Sequence, residues 1–144
     1  MQVKIKLESE LAKMPAYQTP GSSGMDVCSI ERVSLDPGEV KIVSTGLSFE
    51  IPEGYEIQVR PRSGLAAKCG VTVLNAPGTI DQDYRGILKI ILINHNPEES
   101  YWIEIGDRIA QIIFAPVAKV TLVNSTELSQ TDRGAGGFGS TGTK

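Results

Sequence analysis

Cysteine is nearly absent from the 144-residue chain: there are two, Cys28 and Cys69. They show neither CxxC spacing nor a disulfide framework, which fits a reducing cytoplasmic compartment. Histidine occurs once, as His95 in the NHNPEE turn, without an Asp, Cys or second His at ligand spacing, so it reads as structural. No apolar run reaches the length of a membrane span, and MQVKIKLESE lacks the uninterrupted apolar stretch of a secretory signal. Basic residues are not in excess. A formal net charge of -3 argues against general electrostatic binding to nucleic acid. Any polyanionic ligand must therefore be met by local arginines or a metal. The phosphate-loop pattern GxxxxGK[ST] is missing. GAGGFG (134–139) matches GxGxxG in letters, but that fingerprint needs a strand before it and a helix after it.

What is present is a chain of single-domain length, with ordinary hydrophobic (40%) and charged (22%) content. Runs rich in Val, Ile and aromatics predict strands at 3–7, 25–30, 40–51, 55–61, 71–75, 87–94, 101–105, 108–117 and 119–123. LDPGE (35–39), IPEGY (51–55) and NHNPEE (94–99) supply the turns. Only SGLAAKCG (63–70) predicts a helical turn or two. Short strands at this spacing predict an all-β, antiparallel sandwich or barrel. Residues 1–132 read as one β-barrel domain. Residues 133–144 form a Gly-rich C-terminal arm, unable to bury a face of its own and expected to be mobile without a ligand.

Three stretches carry candidate chemistry. In APGTIDQDYRG (76–86), Pro77-Gly78 predicts a turn, with proline presetting φ and glycine free to take φ > 0. Asp81 and Asp83 then either cap that turn or sit at a strand end, where a carboxylate can act as a general base for water. In RPRSGLAAKCG (60–70), Arg60 and Arg62 flank a proline, and Ser63-Gly64 opens the helix. That is either a phosphate site or a Ser N-cap with surface arginines, and the stretch alone does not separate the two. Asp26, in SSGMDVCS, is a candidate partner for a hard cation such as Mg²⁺. Trp102 reads as a packing residue, and Cys69 as a small buried filler.

Taken together, GSSGMDVCS (21–29), RPRSGLAAKCG (60–70), LNAPGTIDQDYRG (74–86), GDRIAQIIFAP (106–116) and RGAGGFGSTG (133–142) resemble, in order, the five motifs of the trimeric dUTP pyrophosphatase (dUTPase) family. Ser23, where alanine is common, is the visible departure. The resemblance implies a jelly-roll-like β-barrel, a homotrimer with shared sites, and Mg²⁺-dependent hydrolysis of dUTP to dUMP and pyrophosphate. It also implies roles. Asp81 would activate water, Tyr84 would lie against the deoxyribose, and Asn75 with the hairpin backbone around Gly78 would read uracil. Arg62, Ser63, Gly64 and Gln111 would contact phosphates, and Asp26 would hold Mg²⁺ through water. Arg133, Phe138, Gly139, Ser140 and Thr141 would belong to an arm closing over the substrate, with Phe138 over the base. Arg85 and Asp83 are expected to form an ion pair within the hairpin. Two rivals remain: a dCTP deaminase, a related fold not expected to carry this tail, and a nucleotide-sensing protein without turnover.

Overall fold

The computed structural model describes every residue except Phe138, Thr141, Thr143 and Lys144. Its strands are β1 (Lys4–Leu7), β2 (Ala16–Tyr17), β3 (Met25–Cys28), β4 (Val33–Leu35), β5 (Val40–Ser44), β6 (Leu47–Glu50), β7 (Tyr55–Arg60), β8 (Val71–Val73), β9 (Gly78–Ile80), β10 (Lys89–Asn94), β11 (Tyr101–Ile103) and β12 (Arg108–Pro116). One helix, α1 (Ser63–Cys69), stands between β7 and β8. Strand alternation explains why these segments hold. In β10, Ile90, Leu92 and Asn94 are buried while Lys89, Ile91 and Ile93 are more open.

The strands pair as a five-stranded sheet β2-β3-β12-β7-β9, a three-stranded sheet β5-β10-β8, and the ribbons β1-β6 and β4-β11. All of these pairings are antiparallel. The fold is all-β and jelly-roll-like. Val27, Val43, Leu47, Ile57, Leu92, Ile103 and Ile112, drawn from seven different strands, are fully buried in one core. Burial of each such side chain stabilises the fold by roughly 1.5–3 kcal/mol. Phe49 of β6 meets Phe114 of β12 edge to face at 6.4 Å, joining a ribbon to the large sheet. The buried Asn94 donates to the carbonyls of Leu35 (3.0 Å) and Glu99 (2.8 Å) and accepts from Asn96 N (2.9 Å). Its polar atoms are thus satisfied inside the core.

Several expectations change. The run 40–51 is two strands, because Gly46 takes φ +66° and a Cβ there would press on Ala12 Cβ at 3.0 Å. KVTLV (119–123) is not a strand: it finds no ladder partner among the described residues, and Val120, Leu122 and Val123 are 76–91% exposed. Gly78 does not take positive φ; it begins β9, in the stretch expected to be a turn. Trp102 does not pack inward. It is 57% exposed, with the Arg32 guanidinium 5.4 Å from its ring centre. Cys69 does pack against the core as a filler. Among the described residues, no helix is long and apolar enough to cross a membrane.

Candidate functional site

The antiparallel ladder places Asp26 of β3 opposite Gln111 of β12, and Gln111 opposite Arg60 of β7. Just past Arg60 the chain turns through Pro61 and Arg62 into α1. Gln111 Nε2 donates to Pro61 O at 2.9 Å and so pins that corner to the sheet. Arg62 Nε donates to Asp26 Oδ1 at 3.1 Å, and Arg62 Nη1 donates to the Arg108 carbonyl at 3.1 Å. Arg108 Nη1 takes the other carboxylate oxygen, Oδ2, at 3.0 Å. Asp26 is 13% exposed, whereas Arg62 and Arg108 are 25% and 47% exposed. One sheltered carboxylate thus faces two more open guanidiniums.

Arg108 was not a sequence candidate, and the reason is geometric. In a regular strand, residues three apart point to opposite faces, so Arg108 would face away from Gln111. The register shifts between Arg108 and Ala110, and Ile109 and Ala110 are both buried. This β-bulge turns Arg108 to the face that carries Gln111 and Asp26, a known use of bulges beside functional sites. Gly24 is a second residue missed. An added Cβ would stand 2.5 Å from Gln111 Oε1, so only glycine lets the carboxamide lie there.

Ser63 and Gly64 form the first turn of α1. Arg62, extended at φ -93° and ψ 126°, occupies the N-cap position, and no side chain hydrogen-bonds as a cap. Ser63 is therefore the first helical residue and not the N-cap. The leading N–H groups lack intrahelical partners by construction. Cys28, next in β3 after Val27, has its thiol pKa pushed up, chiefly by burial.

The hairpin residues gather elsewhere. Gly78 lies so close to Asn75 and Val59 that a Cβ would come within 3.1 Å of Asn75 Nδ2 and 3.3 Å of Val59 Cβ. Tyr84 N donates to Asp81 O at 3.1 Å, and Tyr84 Oη donates to Ile87 O at 3.2 Å. A Cβ on Gly86 would collide with the Tyr84 hydroxyl end. Arg85 does not pair with Asp83. Its Nη1 instead donates to the carbonyls of Gln82 (2.6 Å) and Tyr84 (3.0 Å), bracing the hairpin through its backbone. Asp81 borders two hollows: one of about 370 Å³ with Tyr55, Glu56, Gln82, Asp83 and Lys119, and one of about 250 Å³ with Ile80, Tyr84 and Ile87.

The structure therefore joins Asp26, Arg62 and Gln111, and separately Asn75 with Gly78 at one end of β9 and Asp81 with Tyr84 at the other. It does not join Asp81 and Tyr84 to the Arg62 corner within one chain. Ile80 pairs with Ile57, so Asp81 lies at the Glu56 end of β7, while Arg62 follows the opposite end and reaches Arg108. At a rise of about 3.3 Å per residue, the stretch of β7 from Glu56 to Arg60 alone sets Asp81 roughly 13 Å from the corner, whereas Gly78, opposite Val59, lies nearer the Arg60 end. In the arm, Arg133 Nε donates to Gly136 O at 2.9 Å, and Gly139 and Ser140 lie in a turn. Beyond Val117, every hydrogen bond recorded among the described residues is local to the segment. Phe138 and Thr141 lie outside the described residues.

Fold and site define a class: a jelly-roll-like β protein with an anion-receptive corner of two guanidiniums and one carboxylate, and a separate hairpin carrying a carboxylate and a tyrosine. The dUTPase family model matches residues 10–142, and the chain belongs to that family. It is 56% identical, over 99% of both chains, to the deoxyuridine 5'-triphosphate nucleotidohydrolase of Nautilia profundicola. It is 55% identical to that of Hydrogenobaculum sp., over the full length of both. Among solved structures, it is similar to the Staphylococcus bacteriophage 80alpha dUTPase with dUPNHPP (TM-score 0.90, 32% identity, 98% of each chain). It is also similar to a point mutant of the dUTPase from phage phi11 of S. aureus, described with a structural Mg(II) ion (TM-score 0.83, 26% identity, 90% of this chain and 100% of that one).

Proposed function

We propose that this protein hydrolyses dUTP to dUMP and pyrophosphate in the cytoplasm, lowering dUTP and supplying dUMP for thymidylate synthesis. The observation that carries the reading is the convergence of Asp26, Arg62 and Gln111 from three elements on one corner, in a chain of the dUTPase family. The water oxygen attacks the α-phosphorus, the bond to the bridging oxygen of pyrophosphate breaks, and Asp81 takes the proton from the water. Arg62 and Gln111, with the leading N–H groups and hydroxyl at Ser63 and Gly64, receive phosphate oxygens and orient the chain of phosphates for in-line attack. Asn75 and the backbone at Gly78 pair with the uracil edge, where cytosine would set a donor against a donor. Tyr84 lies against the deoxyribose. A 2′-hydroxyl buried there would find no partner, at a cost of about 1–3 kcal/mol.

Among the described residues, no group of three or more His, Cys, Asp or Glu could hold a metal. The donor set fits Mg²⁺ only in the manner in which that ion keeps several waters and shares itself with substrate phosphates. Asp26 would hold it through water, and the ion would supply charge neutralisation on the phosphates.

The separation of Asp81 from Arg62 supports a homotrimer in which one copy presents the hairpin to the phosphate corner of another. The exposed Val120, Leu122 and Val123 support it too, since apolar side chains left open in one chain favour burial against a second. Residues 133–144, Arg133 and Phe138 among them, then close over the bound nucleotide as a lid. A pyrophosphate-release assay across deoxynucleoside and ribonucleoside triphosphates tests the reading. dUTP should be turned over, with dCTP and UTP poor, and Tyr84→Ala should narrow the gap between dUTP and UTP. Ammonia release from dCTP would instead favour a deaminase, and tight dUTP binding without turnover would favour a sensor.

A further inference from the structure

We propose that Arg108 is a positioning residue: it holds Asp26 by one carboxylate oxygen, so that Arg62 stays available to an incoming phosphate. The inference rests on the phosphate-binding reading of this corner. A lone aspartate beside a lone arginine closes into a two-pronged, neutral pair, because the guanidinium fork matches both carboxylate oxygens. Such a pair would compete with the ligand, since Asp26 would satisfy the same donors that a phosphate needs. Here the pair is kept open. Asp26 Oδ2 goes to Arg108 Nη1 at 3.0 Å, and only Oδ1 is left for Arg62 Nε at 3.1 Å. Two guanidiniums and one carboxylate leave the corner a net charge of +1, although the chain as a whole carries -3.

The backbone is committed to the same arrangement. The bulge after Arg108 turns its side chain toward Asp26, and the carbonyl of the same residue accepts from Arg62 Nη1 at 3.1 Å. Arg108 therefore fixes Arg62 from one side and occupies its competitor from the other. It is also the more exposed of the two arginines, at 47% against 25%, so it keeps hold of Asp26 from the solvent side while Arg62 lies deeper. When a phosphate arrives, Arg62 need only exchange one hydrogen bond, and Asp26 retains a charged partner throughout.

Calorimetric titration with a non-hydrolysable imido analogue of dUTP, in buffer without divalent metal, tests this on the full chain. Arg108→Ala should weaken binding about tenfold, in line with the loss of one charge-assisted hydrogen bond. Its melting temperature should change little, and Arg108→Lys should recover most of the affinity. The distinguishing readout is suppression. Adding Asp26→Asn to Arg108→Ala should tighten binding relative to Arg108→Ala alone, because the competing carboxylate is gone. Asp26→Asn by itself should bind the metal-free analogue no more weakly than wild type, which serves if Arg108→Ala does not fold. Unchanged affinity in Arg108→Ala, no suppression in the double variant, or a tenfold loss in Asp26→Asn would each overturn the proposal. Failure of the underlying reading would show separately, as a wild-type protein that releases no pyrophosphate from dUTP.

Discussion

At Asp81, replacing one carboxylate oxygen by an amide nitrogen keeps the shape of the side chain and removes its basicity. Asp81→Asn should therefore lower turnover of dUTP by roughly 10²–10⁴ while binding changes little. Rates near wild type, measured by pyrophosphate release, would remove Asp81 from the role of base. Gly24 makes a steric argument of the same kind. A methyl group there must displace Gln111 Oε1, 2.5 Å away, and the flexible carboxamide yields more easily than the strand. Gly24→Ala should fold normally and lose turnover about tenfold, as expected when one positioned hydrogen-bonding group is misplaced. Added to Gln111→Ala, it should cause no further loss; additive losses would show that Gly24 acts otherwise. Asp26, Arg62 and Asp81 stood out as candidates because each sits in a short stretch whose composition is odd for a plain turn, whereas Gln111, inside a strand run, and the role of Tyr84 came only from the family resemblance. Gly24 and Arg108 did not stand out. The first matters through a contact across the ladder, and the second through a bulge that breaks the alternation used to read a strand.

At the scale of elements, most strands were legible because β-branched runs between turn residues have few alternatives. Two of the misreadings have a common cause. Gly78, read with Pro77 as a turn, instead opens β9, held by its pairing with β7. KVTLV looked like a strand and has no partner among the described residues. Whether a short apolar segment becomes a strand depends on a neighbouring edge that its own sequence does not contain. The arm beyond Asp132 follows from the same logic. None of its described residues joins the core cluster, so truncation after Asp132 should leave the melting temperature nearly unchanged. Ordering the arm over a ligand costs roughly 1–2 kcal/mol per residue in backbone entropy, so it should form a closed lid only with substrate bound. Turnover should accordingly collapse in the truncated protein, and equal rates for truncated and full-length chains would reduce the segment to an ordinary terminus.

For the whole molecule, the decisive feature is distance. Asp81 and the Arg62 corner stand at opposite ends of β7, more than about 10 Å apart, so under the proposed roles a water activated by Asp81 would not reach a phosphorus held by Arg62 of the same chain. Motif order in the sequence carries no trace of this, because adjacency along the chain says nothing of which copy supplies each part. The reading of a dUTP hydrolase thus stands on sites completed between copies. Two variants separate the parts: Asp81→Asn spoils the hairpin and leaves the corner intact, while Arg62→Ala does the reverse. Each alone should be nearly inactive. Co-expressed in equal amounts, they should assemble hybrids in which about a quarter of the sites draw a sound hairpin from one copy and a sound corner from another, if copies mix at random in a symmetric ring. Pyrophosphate release from dUTP by the co-expressed mixture is the most direct measurement. Recovery to about a quarter of the wild-type rate is the predicted result. A mixture no more active than the two variants separately would contradict the account.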